Sequence, residues 1–263
     1  MSLATFQAAL GRAIRGPDGG GTSQAAPNAT VGLTSSPEEY AQFERLRASR
    51  GFHFTLAVRR SWCEGRAANT ARRTLSVLPA GDRRELLREW IDAGGGASSF
   101  VANEAEAFLE FIAGRLPDPS HALTLCRLEQ AVYRAGSRAA TFQAPPASML
   151  SGPDTTLRAG RYAALVPFFV EPDDLSAALQ SALPIPAPAE PNCHLLFAPG
   201  IPGLFRRARK EEAQLWAALA RPIPARVLWK LKRFRKWIQP LVAVGALDAN
   251  CAEGDGDTAP DRD

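Results

Sequence analysis

The sequence predicts a mostly α, α+β protein: an N-terminal helical domain followed by a small winged-helix-like module with a minor β part. Three observations carry that expectation. Between residues 38 and 140, apolar residues recur at three- and four-residue spacing with short connections. After residue 145, prolines multiply and interrupt any long helix. Between 193 and 208, two short apolar runs flank Pro199-Gly200-Ile201-Pro202-Gly203, the pattern of a β-ribbon. The 263 residues are 46% hydrophobic and 22% charged, which excludes wholesale disorder. The longest apolar candidate, Tyr162 to Val170, contains Pro167 and falls far short of the roughly 20 residues of a membrane span.

Element by element, Leu3, Phe6, Leu10 and Ile14 suit a short amphipathic helix. The Arg-bearing start also resembles an organelle transit peptide, but an ordinary short helix is the preferred reading, and no secretory signal is expected. Residues 16–36, with Gly19-Gly20-Gly21, read as a flexible linker, so residues 1–36 form one segment. Ser36-Pro37-Glu38-Glu39 is a helix start: a Ser cap, Pro in the first turn, and acids at the positive dipole end. Phe52, Phe54, Leu56 and Val58 alternate as in a strand, but helix formers on both sides favour a helix. Arg66 to Leu78 reads as the next helix, stopped by Pro79. Asp82 is the expected cap of another, with Leu86, Leu87, Trp90 and Ile91 as a buried stripe ending at Gly94-Gly95-Gly96. Ser98 or Ser99 should open a helix whose inner face holds Phe100, Ala105, Phe108, Leu109 and Ile112. The last helix of the 37–145 domain carries Leu125, Leu128, Val132 and Ala135. Trp62 and Trp90 are expected in the core.

In the 146–248 module, residues 161–170 read as extended and 173–183 as helical. Strands are expected over 193–198 and 204–208, then helices over 210–220, 225–234 and 236–244. A ribbon followed by three helices is winged-helix content. Residues 249–263 are small and acidic, a tail without a core.

Chemistry is sparse. Cys63, Cys126, Cys193 and Cys251 lack any C-x-x-C pairing, and His53, His121 and His194 are scattered. That usage fits reduced thiols in a cytoplasmic protein, without disulfides or zinc. Cys193 and His194 would point to opposite faces of a strand. Glu64 beside Cys63 disfavours a thiolate. No nucleophile elbow, phosphate loop or dinucleotide fingerprint occurs. Gly94-Gly95-Gly96 could hold an anion at a helix start or be a plain turn. The reading is therefore of no catalytic residues, no metal ligands and no cofactor in this chain.

Charge is the exception. Between 201 and 240, eleven basic residues face two acids, a net +9, while the whole chain is only +4. All the lysines lie there: Lys210, Lys230, Lys232 and Lys236. Nucleic acid, an acidic peptide and an acidic protein face all suit such a patch, and so does a merely solvated helix face. Trp229, Phe234 and Trp237, interleaved with the cations, fit a core better than a base-stacking platform.

Two stretches carry a resemblance. One runs from Ser61-Trp62-Cys63-Glu64-Gly65-Arg66 through Leu86-Leu87-Arg88-Glu89-Trp90 to Gly94-Gly95-Gly96-Ala97-Ser98-Ser99-Phe100. The other is Leu116-Pro117-Asp118-Pro119-Ser120-His121 followed by Cys126-Arg127-Leu128-Glu129-Gln130-Ala131. Over residues 40–247 the chain resembles the partner subunits of multinuclear non-haem iron-dependent oxidases that modify ribosomally made peptides. The 3-thiaglutamate-type partner is the nearer likeness and the methanobactin-type partner the more distant. The resemblance implies a subunit without chemistry of its own, with iron held by a separate TIM-barrel oxidase. It implies that the winged-helix-like part is a peptide-recognition module in which a precursor or carrier peptide leader adds as a strand. The modification would fall on a peptide cysteine. Residues placed in leader contact by this resemblance are Leu195, Phe197, Leu204, Arg206, Arg207 and Arg209. His121, Arg127 and Glu129 are expected at the oxidase interface, Arg127 and Glu129 on the polar side of their helix, where a solvated ion pair is the competing reading. No membrane partner is expected, and a nucleic-acid-binding regulator is the alternative.

Overall fold

A computed structural model describes Leu10 and residues 36–96, 101–152, 155–181 and 183–250. The expected first helix and linker, the opening at Ser98 or Ser99 with Phe100, and residues 251–263 lie outside those residues. The described protein is mostly helical with two small antiparallel sheets, an α+β fold. Contacts divide it into a unit ending at Arg115 and a unit beginning at Leu116.

The first unit holds α1 (Pro37–Arg47), α2 (Arg50–Thr70), α3 (Arg72–Ser76), α4 (Ala80–Asp92) and α5 (Val101–Ala113). Ser36 and Glu39 form a capping box: the Ser36 hydroxyl accepts from the Glu39 N–H, and the Glu39 carboxylate from the Ser36 N–H. Two expected segments fuse into α2, and the break falls at Ala71 instead of before Arg66. Asp82 is not a cap; Pro79 holds that position and Asp82 lies in the first turn. Leu86, Leu87, Trp90 and Ile91 are half-buried, because α4 covers the core only along its edge. Phe52, Cys63 and Ala67 of α2 meet a core that includes Leu75, Phe108, Leu109 and Ile112.

Gly94-Gly95-Gly96 is a packing turn. A Cβ on Gly95 would enter the Trp90 indole, and one on Gly96 would sit 2.5 Å from Cys63 Sγ. Gly96 also has φ +78°, a left-handed conformation that favours glycine. Its carbonyl accepts from Arg66, and Cys63 Sγ lies 3.4 Å from it. Arg66 in turn bridges to Glu104 at 3.0 Å.

The second unit begins with α6 (His121–Ala139), capped by Ser120, whose hydroxyl accepts from the Leu123 N–H. Sequence reading groups this helix with the first domain, but α6 packs against β2 (Ala164–Phe168) and β3 (Cys193–Phe197). Leu123, Leu125, Ala131 and Ala135 are among its buried residues. β1 (Thr156–Ala159), α7 (Pro172–Gln180), β4 (Phe205–Arg207), α8 (Lys210–Ala218), β5 (Ile223–Pro224), α9 (Ala225–Lys230), α10 (Lys232–Ala243) and β6 (Leu247–Asn250) complete the unit. One sheet has the order β5-β1-β6 and the other β2-β3-β4. Ala249 and Asn250, expected in the tail, are paired residues of β6. The expected break near residue 235 falls at Leu231.

Leu157, Leu196, Leu215, Leu228, Phe234, Ile238, Leu241 and Leu247 build the core among β1, β3, β6 and the three C-terminal helices. Leu196 points into that core, while its neighbours Leu195 and Phe197 occupy the opposite face of β3, as alternation requires. No helix among the described residues is long and apolar enough to cross a membrane.

Candidate functional site

The β2-β3-β4 sheet ends at β4, and that edge is open among the described residues. The Ala198 N–H donates to the Leu204 carbonyl, and the Ala208 N–H to the His194 carbonyl. With Leu196 opposite Arg206, residues 204, 206 and 208 face β3 through their backbones. The N–H and C=O groups of Phe205 and Arg207 therefore point off the sheet. Phe205 is 48% exposed, and its ring lies 5.3 Å from that of buried Phe197. Gly203 and Leu204, at φ +74° and +73°, reverse the chain ahead of the strand. For leucine that conformation costs on the order of 1 kcal/mol, and its side chain reaches over Gly136 of α6.

The residues expected to contact a leader divide sharply. Leu195 and Phe197 are buried, 7% and 0% exposed, and offer no side-chain surface to a peptide. The alternation that suggested them could not say which face α6 covers. Leu204 is half-buried in the turn. Arg206 grips Glu212 of α8 with both guanidinium nitrogens, at 2.5 and 2.8 Å, so its charge is committed internally. Glu212 is 2% exposed and also accepts from the Arg209 N–H at 2.8 Å. Burial pushes the Glu212 carboxyl up; hydrogen bonds from Arg206 and the Arg209 N–H, with both charges, more than offset that and hold it below its ordinary value. Arg207 pairs with Glu171 at 2.9 and 3.2 Å on the surface, an exposed pair that a ligand can exchange at little cost. Arg209 is exposed and lies 4.8 Å over the Trp237 ring.

Of the three residues expected at the oxidase interface, His121 and Arg127 are engaged within the second unit. His121 Nε2 donates to the Pro186 carbonyl at 2.7 Å, and its ring meets Phe169 edge-on. Arg127 pairs with Asp118 at 3.0 Å, not with Glu129. Glu129 is 4% exposed and is not on the polar side of α6.

Sequence reasoning missed Phe205, because register decides which ribbon residues face outward. It also placed Trp62 in the core, whereas Trp62 is 69% exposed. Phe54 and Val58, 70% and 40% exposed, stand eight and four residues before it on α2, so the three form one outward stripe. Gly51 and Gly65 flank the stripe with nothing within 4 Å of a hypothetical Cβ. Trp90, by contrast, packs between Phe108 and Phe111 at 5.3 Å from each ring.

The basic run resolves into a core side and an open side. Phe234 is buried, and Trp229 and Trp237 pack against the core. Arg226, Lys230, Lys232, Arg233, Arg235 and Lys236 are exposed, and none has a carboxylate partner among the described residues. Arg233, Arg235 and Lys236 lie over the Phe234, Trp229 and Trp237 rings at 4.5, 5.9 and 4.8 Å.

Cys63, Cys126 and Cys193 are buried. Burial pushes the Cys193 thiol up, and burial pushes His194 down. No group of three or more His, Cys, Asp or Glu among the described residues could hold a metal ion. No protein-family model matches this chain, and no curated protein matches it.

Proposed function

We propose that this chain is a non-catalytic, cytoplasmic peptide-binding subunit of an oxidase complex. It takes the leader of a short precursor or carrier peptide as an added strand on β4. It presents that peptide to a separate TIM-barrel multinuclear iron oxidase, which modifies a peptide cysteine in the 3-thiaglutamate manner. The observation that carries this reading is the open β4 edge, with outward backbone groups at Phe205 and Arg207 and a half-exposed aromatic beside them.

Magnitudes restrict how the peptide binds. Of the four backbone groups on the two outward residues, the Arg207 carbonyl already accepts from Arg206 Nη1 at 3.1 Å, which leaves three open for a strand at about 0.5–1.5 kcal/mol net each. After the entropy of association, that alone is weaker than about millimolar. Phe205 and the exposed cations Arg207 and Arg209 must therefore contribute, which favours a leader with an apolar anchor and acidic neighbours. The oxidase-facing surface is assigned to the Phe54, Val58 and Trp62 stripe, since large exposed apolar residues in register on one helix are characteristic of protein contact.

A second reading has its own support. The open cations of α9 and α10 suit a nucleic acid backbone, and α10 could enter a major groove. Anisotropy with a fluorescein-labelled acidic peptide that carries one phenylalanine anchor separates the two. The peptide-subunit reading expects saturable binding, weakened at least tenfold by Phe205→Asp, and no comparable affinity for duplex DNA. Duplex binding with a steep salt slope and no peptide binding would replace it with the nucleic-acid reading.

A further inference from the structure

The basic face of α9 and α10 forms an open groove walled by Trp229 and lined by Lys232, Arg235, Lys236 and Gln239. These positions recur at three and four residues, so their side chains stand about 5–6 Å apart along one helix face. Among the described residues these cations have no carboxylate partner, and a groove of that charge suits an anionic occupant.

We infer that the occupant in the free protein is the chain's own C-terminal segment, residues 251–263. It contains Glu253, Asp255, Asp257, Asp261 and Asp263 against Arg262, a net −4. Glu253, Asp255 and Asp257 alternate with glycine. In an extended segment these three carboxylates share one side at about 6.8 Å intervals, close to the repeat of the cations. Glycine between them lets the backbone approach the indole wall closely. Reach is ample: β6 packs against α10 and ends at Asn250, thirteen residues span up to about 43 Å, and α10 is about 18 Å long. Tethering makes the docking intramolecular, at an effective concentration near millimolar. The tail thus screens the groove from other anions and yields it only to a more acidic or better anchored ligand. This goes beyond the peptide-binding proposal, and its tests need neither the leader nor the oxidase.

Zero-length carbodiimide coupling of the full chain, read by mass spectrometry, should join Lys232 or Lys236 to Glu253, Asp255 or Asp257 within one molecule. A fluorescein-labelled hexaglutamate probe should bind about tenfold more tightly after truncation following Asn250. The E253Q/D255N/D257N triple substitution should reproduce the gain without shortening the chain, and 0.5 M NaCl should abolish it, since screening at that strength acts within a few ångströms. Equal probe affinity for the three proteins at low salt overturns the inference. So do cross-links that form only between molecules, which would make a second copy the occupant.

Discussion

Arg206 is the side-chain partner that compensates a carboxylate almost wholly removed from water. Arg206→Ala leaves Glu212 with the Arg209 N–H alone and should lower stability by about 2 kcal/mol in urea unfolding at pH 7. A fully enclosed pair would cost about 3–5 kcal/mol, but Arg206 is 38% exposed and water can partly replace it. Because the folded carboxyl lies below its unfolded value of about 4.3, Glu212 stabilises above that pH and ceases to do so as pH falls through the folded value. His194 acts at higher pH with the same sign. Burial lowers its folded pKa, so the unfolded chain binds the extra proton and stability declines as pH drops below about 6.5. The thermal midpoint should fall over that window in the natural chain and stay flatter in His194→Gln. Gly96→Ala should cost about 2 kcal/mol or more, since both the left-handed backbone and the Cys63 sulfur oppose a methyl group.

At the scale of elements, α2 packs with one face and, in the proposed complex, would meet the partner with the other. Phe54 and Trp62 touch little of their own fold, so Phe54→Ser with Trp62→Ser should change unfolding free energy by less than about 0.5 kcal/mol per site. The same pair should abolish co-purification with the proposed oxidase partner; retention of that complex would remove α2 from the proposed interface. Helices were legible because their apolar spacing and caps are local: Ser36 and Ser120 cap as their residue types require. Ends were less so. Nothing in residues 66–78 marks Ala71 as the break, and the α9–α10 junction moved to Leu231 because Phe234 and Ile238 must both reach the core. β1, β5 and β6 escaped notice because strands of two to four residues exist only through partners distant in sequence.

At the scale of the whole molecule, the α+β class follows from composition and periodicity, while the site depends on pairings that no local pattern records. The ribbon was readable at Cys193 and Arg206, but which of its residues look outward rests on the Leu196–Arg206 register and on α6 covering the Leu195 face. The basic run was plain in the residues; that Arg206 and Arg207 are internally paired while Lys232, Arg235 and Lys236 have no carboxylate partner among the described residues required the fold. The account rests on β4 accepting a fourth strand. Amide hydrogen exchange of the full chain, resolved to single residues with and without saturating precursor peptide, reads this directly. The account predicts that the Phe205 and Arg207 amides become at least tenfold more protected on binding, while Arg206, already bonded to β3, changes little. A peptide that binds and leaves the Phe205 and Arg207 amides exchanging at their free rates would contradict it.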